Sequence, residues 1–458
     1  MKKLQVVLLA AGEGTRMKSK KNKMLHEICG RTLLGWVLEA AGALSDRKPI
    51  AVVGANEEAV KDVFGDELEY ALQSERLGSG HAAMMALPLL DKNIPYTLIA
   101  AGDMPLLTRG TLEALHLLAQ DYDGALLSAR LEDPAGYGRV VRAENGDVTA
   151  IVEHKDANEE QLLIDEVNAS VYCFKTDKLM DALGRLDNDN AQGEYYLTDI
   201  VGIIVSDGGR VGALTAGDCR QCLGVNDRVQ LYHCEKIMRR RINEAHMRAG
   251  VTLIDPENTY IGAQVKIGAD TVIYPGNVLE GHTLIGEDCV LYPGSRIVDS
   301  VLADGVRIQN SVLLEAGVGK GSTIGPYAYL RPGSRVGEKA RIGDFVEVKN
   351  AEIGDGTKVS HLTYIGDGRL GKNCNVGCGT VFVNYDGHGK YFTDVGDNVF
   401  IGCNTNLIAP VKVGDGAYIA AGSTITDDVP EDALAIARSR QVVKEGWAAN
   451  RREQKEKK

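Results

Sequence analysis

The chain has 458 residues, a net charge of −12 and 53 glycines against only 6 phenylalanines. This length favours two or three domains, and the acidic balance argues against a nucleic-acid-binding protein, since such proteins carry a concentrated positive surface. No run of 18 apolar residues occurs, and the apolar start from Leu4 to Ala11 runs straight into glycines, so we expect neither membrane insertion nor a signal peptide.

Short apolar segments alternate with amphipathic stretches over residues 1–226. Strands are expected at Leu4–Ala10, Ile50–Val53, Thr97–Ala101 and Ala125–Ala129. Helices are expected near Leu33–Leu44, Glu57–Phe64 and Leu112–Ala119. This alternation is typical of βαβ units, so we predict a Rossmann-like α/β domain with a mainly parallel sheet.

A glycine-rich turn follows the first strand, in the segment AAGEGTRMKSKKNK. Backbone N–H groups in such a turn can approach phosphates, and Arg16 and Lys23 can neutralise their charge. Met17 excludes a dinucleotide-binding fingerprint, and the sequence contains no GxxxxGK[ST] phosphate loop. An ordinary strand-to-helix turn without a ligand is the alternative.

Asp103 ends the predicted strand TLIAAGD, at the edge where open α/β sheets bind ligands. A lone carboxylate there suits Mg²⁺, which takes one or two protein oxygens and completes its shell with substrate phosphates and water. A turn or helix-capping aspartate is the alternative. Asn226 is explained equally well as the cap of the next helix.

Residues 227–250 contain no proline and no internal glycine, which predicts a linker helix. Just before it, Cys219 and Cys222 form a CxxC motif, and His233 and Cys234 follow at a spacing that loosely suggests zinc. A structural zinc site normally shows two well-spaced ligand pairs. We therefore favour free thiols in a reducing, cytoplasmic compartment.

A six-residue repeat begins after Gly250 and defines a C-terminal domain of residues 251–458. Aliphatic residues recur at every sixth position, for example at Ile261, Ile267 and Ile273. This period fits a hexapeptide β-helix, whose aliphatic side chains fill a triangular prism while glycines turn its corners. Three hexads make one coil of about eighteen residues, so the repeat predicts about ten coils before a charged tail.

Spacing within this repeat predicts geometry. Arg331 and Lys349 are eighteen residues apart and should stack on neighbouring coils, where two cations repel unless an anion such as a sugar phosphate lies between them. Outward-facing, solvated cations are the alternative. His361 belongs to another face and would meet Lys349 only at an edge or across a subunit boundary. A break in register between Phe382 and Val395 predicts a projecting loop.

Six motifs occur in a fixed order: GEGTRM, QSERLGSGHA, AAGDMPLL, GYGRVVR, NAQGEYYLTD and GVNDR. Through them the chain resembles, over nearly its whole length, the bacterial bifunctional N-acetylglucosamine-1-phosphate uridyltransferase/glucosamine-1-phosphate N-acetyltransferase family. The resemblance implies a left-handed β-helix that transfers acetyl from acetyl-CoA to glucosamine 1-phosphate. It also implies an N-terminal domain that transfers uridylyl from UTP to N-acetylglucosamine 1-phosphate, giving UDP-N-acetylglucosamine for peptidoglycan and lipopolysaccharide precursors.

The resemblance further implies Mg²⁺, a cytoplasmic homotrimer and a set of site residues. Arg16 and Lys23 would act on the phosphates, and Asp103 and Asn226 would hold the metal. The nucleotide sugar would be bound by Leu9, Ala10, Ala11, Gly12, Lys23, Gln73, Gly78, Ser79, Gly138, Glu153, Asn168 and Asn226. No general base is needed, because a sugar 1-phosphate already offers an anionic oxygen for attack on the α-phosphorus.

For acetyl transfer, the resemblance implies that His361 is the general base. Glucosamine 1-phosphate would be bound by Arg331, Lys349, Tyr364, Asn375 and Lys390. Acetyl-CoA would be bound by Cys378, Asn384, Tyr385, Cys403, Ala421 and Arg438.

Four positions depart from the usual family pattern. Asn22 replaces a proline and Ser79 a threonine, and the lost proline predicts a less preorganised turn before Lys23. Cys378 replaces an alanine and Cys403 a serine. A thiol is a weaker hydrogen-bond partner than a hydroxyl, so the Cys403 contact should be weak.

Two other functions fit parts of the chain. One is a sugar-1-phosphate nucleotidyltransferase whose β-helix only oligomerises, but this leaves the Arg331/Lys349 stack unexplained. The other is a metal-binding β-helix of the γ-carbonic anhydrase kind, which needs three histidines meeting at an interface. The separation of His282 and His361 is not a multiple of eighteen, and His388 lies in the predicted loop.

Overall fold

The computed structural model describes residues 3–55 and 57–456, and the chain divides into two compact units, Met1–Arg241 and Ile242–Lys458. The helices are α1 Leu33–Gly42, α2 Glu57–Phe64, α3 Ser79–Met85, α4 Arg109–Leu118, α5 Glu159–Leu162, α6 Thr176–Leu183, α7 Asp199–Ser206, α8 Arg228–Arg248 and α9 Trp447–Glu456. The unit boundary falls inside α8. Among the described residues, every helix is too short or too polar to span a bilayer.

The first unit is built on one mixed sheet, which has nine strands within the described residues. They are β1 Leu4–Ala10, β2 Ile50–Val53, β3 Glu69–Leu72, β4 Tyr96–Ala101, β5 Gly124–Arg130, β6 Arg139–Arg142, β7 Val148–Val152, β8 Glu166–Lys175 and β9 Val211–Thr215. Their order is β3-β2-β1-β4-β8-β5-β9-β7-β6. Of these strands, β7 and β8 run against the others, so the prediction of a mainly parallel sheet is confirmed.

The sheet is buried on both faces. Val6 and Leu8 of β1 pack into one hydrophobic core and Val7 packs into the other, because successive side chains of a strand point to opposite faces. This double burial explains why β1 is apolar without alternation. The carboxyl ends of β1 and β4 point to the same edge, where Gly12 and Asp103 follow them.

The second unit is a parallel β-helix, whose short strands run from Thr252–Leu253 to Leu434–Ala435. Each strand pairs with the strand one coil later, and the aliphatic residues of the repeat lie inside. Ile261 pairs with Leu279, which pairs with Ile297, and all three side chains are at most 2% exposed. The two longest strands are Arg341–Ile353 and Lys358–Leu370.

The coils are not uniformly eighteen residues long, so the eighteen-residue prediction is wrong for part of the helix. Ile261 pairs with Leu279 at the predicted spacing, but Ile297 pairs with Leu313 and Asp344 with His361 at shorter ones. Pairing constrains the strand residues and leaves the corners free to lose one or two residues.

The predicted projecting loop is confirmed. Leu370 pairs with Val395, so this coil is several residues longer than its neighbours, and the extra residues leave the prism. Within them, Tyr385 and Lys390 form an antiparallel bridge.

Candidate active sites

A cavity of about 380 Å³ opens at the carboxyl edge of the first sheet. It is lined by ten of the residues predicted to bind nucleotide sugar or metal: Leu9, Ala11, Gly12, Lys23, Gln73, Gly78, Ser79, Asp103, Glu153 and Asn168. These residues come from widely separated stretches of sequence, which the fold brings together around one space.

Four other predicted residues do not line this cavity. Ala10 is buried inside β1, and Arg16 is exposed in a short 3-10 turn, Thr15–Met17. Gly138 lies behind Glu153, because a Cβ on it would be 3.3 Å from the Glu153 carboxylate. Asn226 does not line the cavity itself, but its Oδ1 accepts a hydrogen bond from Lys23, which does.

Lys23 is the central side chain on the side of the cavity that is predicted to bind phosphates. Its side chain is 7% exposed, and its Nζ contacts Asp103 Oδ2 and lies 2.8 Å from Asn226 Oδ1. A carboxylate oxygen and an amide oxygen therefore converge on one cation. Oxygen donors of this kind are what Mg²⁺ prefers, so the residues present fit a magnesium ion.

The alternative capping roles of both metal-ligand candidates are not seen. Asp227, not Asn226, caps α8, since its Oδ1 accepts from the Gln230 N–H at 2.8 Å. The next helix after Asp103 is capped by Thr108. Both side chains are therefore left to face Lys23.

Asn22 takes the place of the family's proline in a conformation that proline can adopt. Its φ is −53°, and its side chain accepts a hydrogen bond from the Met24 N–H at 2.9 Å. The amide thus caps the short turn that begins at Lys23. This contact compensates for the absence of the proline ring, which would fix the backbone at the same φ.

Gly78 forms part of another wall of the cavity. Its φ is +110°, and a Cβ there would lie 2.4 Å from the Tyr195 carbonyl oxygen, so only glycine fits. Ser79 Oγ accepts from the Leu197 N–H at 3.2 Å. These contacts join the QSERLGSGHA and NAQGEYYLTD motifs into one wall.

Glu153 and Asn168 form the side predicted to bind the sugar. Burial raises the pKa of Glu153, whose Oε1 accepts from Thr198 Oγ1 at 3.2 Å. Asn168 donates to the Tyr172 hydroxyl at 2.6 Å. Both groups are thus fixed by partners, and each keeps polar atoms for a ligand.

Arg76 was missed by the sequence analysis. It lines the cavity beside Gly78 and contacts Glu13 of the glycine-rich turn. Its place in QSERLGSGHA, two residues before Gly78, is the signal that could have found it.

In the β-helix, the predicted sugar-phosphate residues form a cluster of cations. Leu330 pairs with Val348, so the following residues, Arg331 and Lys349, lie side by side as their spacing predicts. Lys390 reaches the same place from the projecting loop. A hydrogen bond with Lys349 and the charge of that ammonium lower the pKa of Lys390.

Two carboxylates partly balance this cluster. Glu347 Oε1 lies 2.9 Å from Arg331 Nη1, and Asp367 Oδ2 lies 3.7 Å from Lys349 Nζ. Asn384 also donates to Asp367, and its Nδ2 is 3.5 Å from the Tyr364 hydroxyl. Three cations against two carboxylates leave a positive surface that an anion can neutralise.

His361 lies on a second column, at another edge of the prism. Its Nδ1 is 2.6 Å from Asp344 Oδ1 on the preceding coil, and the two residues are in register. The backbone pairing continues this column through Cys378, Cys403 and Ala421 on the following coils. The fold therefore aligns the predicted base with three predicted acetyl-CoA contacts.

The remaining predicted residues are more scattered. Asn375 is exposed three residues before Cys378, and Tyr385 is exposed in the projecting loop. Arg438 follows the last coils, with its Cδ 3.6 Å from where a Cβ on Gly422 would lie.

Asp344 and Asp367 were missed, although their spacing could have revealed them. Asp344 precedes His361 by 17 residues, one short of the predicted coil, and Asp367 follows Lys349 by 18.

The cysteines form no recognisable metal centre. All nine thiols are free, and within residues 3–55 and 57–456 no group of three or more His, Cys, Asp or Glu side chains is arranged to hold a metal ion.

Two family models match parts of the chain, one in each unit. Residues 6–192 match the MobA-like NTP transferase domain, and residues 392–427 match the bacterial transferase hexapeptide (six repeats).

Full-length relatives are named Bifunctional protein GlmU. That of Geobacillus sp. (strain WCH70) is 52% identical, covering 98% of this chain and 98% of the relative. That of Caldanaerobacter subterraneus subsp. tengcongensis is 53% identical, covering 98% and 99%. That of Clostridium botulinum (strain Langeland / NCTC 10281 / Type F) is 51% identical, covering 96% and 97%. Identity of this level over nearly the whole length shows that the chain belongs to the GlmU family of bifunctional proteins.

Proposed function

We propose that the chain makes UDP-N-acetylglucosamine in two steps, acetylating glucosamine 1-phosphate with acetyl-CoA and then uridylylating the product with UTP. The observation that carries this proposal is that each unit has its own polar site. The first holds Lys23 between two oxygen ligands, and the second holds the His361–Asp344 pair and a cluster of cations. A β-helix that only oligomerises has no use for the second site.

Uridylyl transfer uses the cavity of the first unit. The phosphate oxygen of N-acetylglucosamine 1-phosphate attacks the α-phosphorus of UTP, and pyrophosphate leaves. Lys23 and Arg16 neutralise the phosphates, while Glu153 and Asn168 hold the sugar in line for attack. Mg²⁺, held by Asp103 and Asn226, would neutralise charge on the phosphates.

Acetyl transfer uses the β-helix. The amine of glucosamine 1-phosphate attacks the thioester carbonyl, its proton passes to His361, and coenzyme A leaves as the thiol after taking up a proton. An ionised carboxylate only accepts hydrogen bonds, so Asp344 fixes the proton of neutral His361 on Nδ1 and leaves Nε2 as the base. A backbone hydrogen bond and the hydrogen bond from His361 hold the pKa of Asp344 below its ordinary value.

A homotrimer would complete this second site. Tyr327, Phe345 and Leu362 form an exposed apolar row along the His361 edge, each between 58% and 59% exposed. Their φ values of +58°, +56° and +38° are unusual for bulky side chains, and such strain persists at functional positions. A second copy covering this row would bring its cations towards His361. The family membership also supports a cytoplasmic enzyme.

The test is a mass-spectrometric assay of the purified full chain with glucosamine 1-phosphate, acetyl-CoA, UTP and Mg²⁺, omitting one component at a time. We expect UDP-N-acetylglucosamine only in the complete mixture. If N-acetylglucosamine 1-phosphate must be supplied ready-made, the β-helix is not an acetyltransferase.

A further inference from the structure

We propose that Cys219 and Cys222 form a redox-active pair, which a low-molecular-weight disulfide converts to an internal disulfide and which thereby lowers uridylyl transfer. The second part of this inference rests on the proposed uridylyltransferase function. The disulfide itself does not.

The backbone of the pair suits a disulfide. Cys219–Cys222 is a single 3-10 turn. With three residues per turn and a rise of about 2.0 Å per residue, its first and last residues are aligned with Cα atoms about 6 Å apart. Disulfides span Cα separations of about 4.4–6.8 Å. The pair can therefore close once the turn shifts locally.

The two thiols differ in exposure in the way that exchange chemistry requires. Cys219 is exposed, whereas Cys222 is only 8% exposed and lies in the hydrophobic core. Burial first, and then the nearby Cys219, raise the pKa of Cys222 to about 12. Cys219 is thus the thiol that meets an external disulfide, and Cys222 is the thiol that resolves the product.

The exchange balances in two steps. The Cys219 thiolate attacks one sulfur of the small disulfide, whose S–S bond breaks, so that one small thiol leaves after gaining a proton. Cys222 then loses its proton, and its sulfur attacks Cys219 Sγ and releases the second small thiol. The protein pair loses two electrons and two protons, and the small disulfide gains them.

The turn leads directly into the uridylyl-transfer site. A Cβ on Gly224 would lie 3.6 Å from Asp103 Oδ1, and the Val225 N–H donates to the Asp103 carbonyl oxygen at 2.9 Å. The next residue, Asn226, contacts Lys23. Displacing Cys222 therefore displaces the segment that contacts Asp103 and contains Asn226, the two predicted metal ligands.

Side-chain hydrogen bonds restrain Asp218, Arg220 and Gln221, which lie on either side of Cys219 and precede Cys222. Asp218 accepts from the Arg220 N–H at 3.1 Å. Gln221 Oε1 accepts from the hydroxyls of Thr108 and Thr111 at 3.0 and 2.6 Å. Drawing the two sulfurs to about 2.05 Å must then shift Cys222 and the residues after it.

The experiment treats the reduced, purified full chain with glutathione disulfide and digests it with trypsin without reduction. Arg220 lies between the two cysteines, so cleavage there separates the peptides VGALTAGDCR and QCLGVNDR. We expect these peptides to appear as one linked species that dithiothreitol splits. Their recovery only as separate peptides, free or carrying glutathione, would overturn the proposal.

The same samples are assayed for uridylyl transfer. We expect a loss of about tenfold or more on oxidation, recovered on reduction, since a misplacement of about 1 Å can cost about 10²-fold. Cys219→Ser and Cys222→Ala should resist the loss, whereas Cys29→Ser, a matched change at a half-buried thiol of the same unit, should not. A linked peptide pair with unchanged activity would overturn the coupling. Reduced protein with no uridylyl transfer would instead contradict the proposed function.

Discussion

The two units build their sites in opposite ways. In the first, a cavity gathers residues that are far apart in sequence, as Lys23 and Asn226 show with a separation of 203 positions. In the second, an open surface gathers residues one coil apart, such as Arg331 and Lys349, and the His361–Asp344 pair lies on another edge.

This difference predicts which of the two reactions needs a second copy of the chain. The cavity unites its phosphate and sugar sides within one unit. The prism displays its cations and its base on separate columns, which fits the proposed site shared between copies. The comparison therefore predicts that uridylyl transfer depends on one chain and that acetyl transfer depends on assembly.

The strongest test of separate sites is His361→Ala. Loss of the base should lower acetyl transfer about 10³-fold, within the usual range for general-base catalysis, and should leave uridylyl transfer within about twofold. Steady-state rates of both half-reactions check this. His282→Ala, at an exposed histidine elsewhere on the β-helix, is the matched control. A folded His361 variant that has lost both activities would contradict separate sites.

Asp103→Ala should produce the opposite pattern. Losing one charged partner of Lys23 should lower uridylyl transfer by about 10²-fold or more, and acetyl transfer should be unchanged. Asp66→Ala, at an exposed aspartate of the same unit, controls for lost charge. An effect of similar size on both half-reactions would show that the two sites are not independent.

A smaller effect tests the electrostatics beside the cavity. Burial, followed by the charges of Asp187, Glu153 and Asp156, raises the pKa of Asp199 from 3.8 to about 6. Because the folded pKa is the higher one, ionisation of this carboxyl costs stability as the pH rises from about 4 to 6, and the full cost remains above 6.

Asp199→Asn should therefore raise the free energy of unfolding at pH 7.5 by about 1 kcal/mol, a value discounted because the group is half-exposed, and should change it little at pH 4. Urea unfolding followed by Trp36 fluorescence measures it. Asp189→Asn, at an exposed aspartate of the same unit, should have no effect at either pH. An equal increase in the free energy of unfolding at both pH values would contradict this interpretation.

The smallest effect is expected for Asn22→Pro. Proline suits the observed φ of −53° and should raise the free energy of unfolding by about 0.4–1 kcal/mol. Loss of the cap should lower it by about 1 kcal/mol, so the two effects nearly cancel. We expect kcat/KM for UTP to change less than about threefold. Asn22→Ala loses the cap without gaining the ring and should lower kcat/KM more. The reverse order would show that the cap has no role.

Residue spacing could predict contacts in the β-helix but not in the cavity. Spacing alone placed Lys349 beside Arg331, because each coil converts residue number into position. It missed Asp344 as the partner of His361, since that coil is one residue shorter than a rule of eighteen requires. In the cavity, no spacing rule could have shown Lys23 against Asn226, because that contact depends on how the whole sheet folds.

The most direct test of whether the acetyl-transfer site is shared between copies combines two inactive variants. His361→Ala and Lys349→Ala are each expected to lose acetyl transfer. When they are co-expressed, some shared sites receive a native residue from each copy, and random equal mixing should restore up to about a quarter of the wild-type acetyl-transfer rate. Recovery of activity in the mixed assembly is the predicted result. Mixed assemblies that form and stay inactive would contradict a site divided between copies.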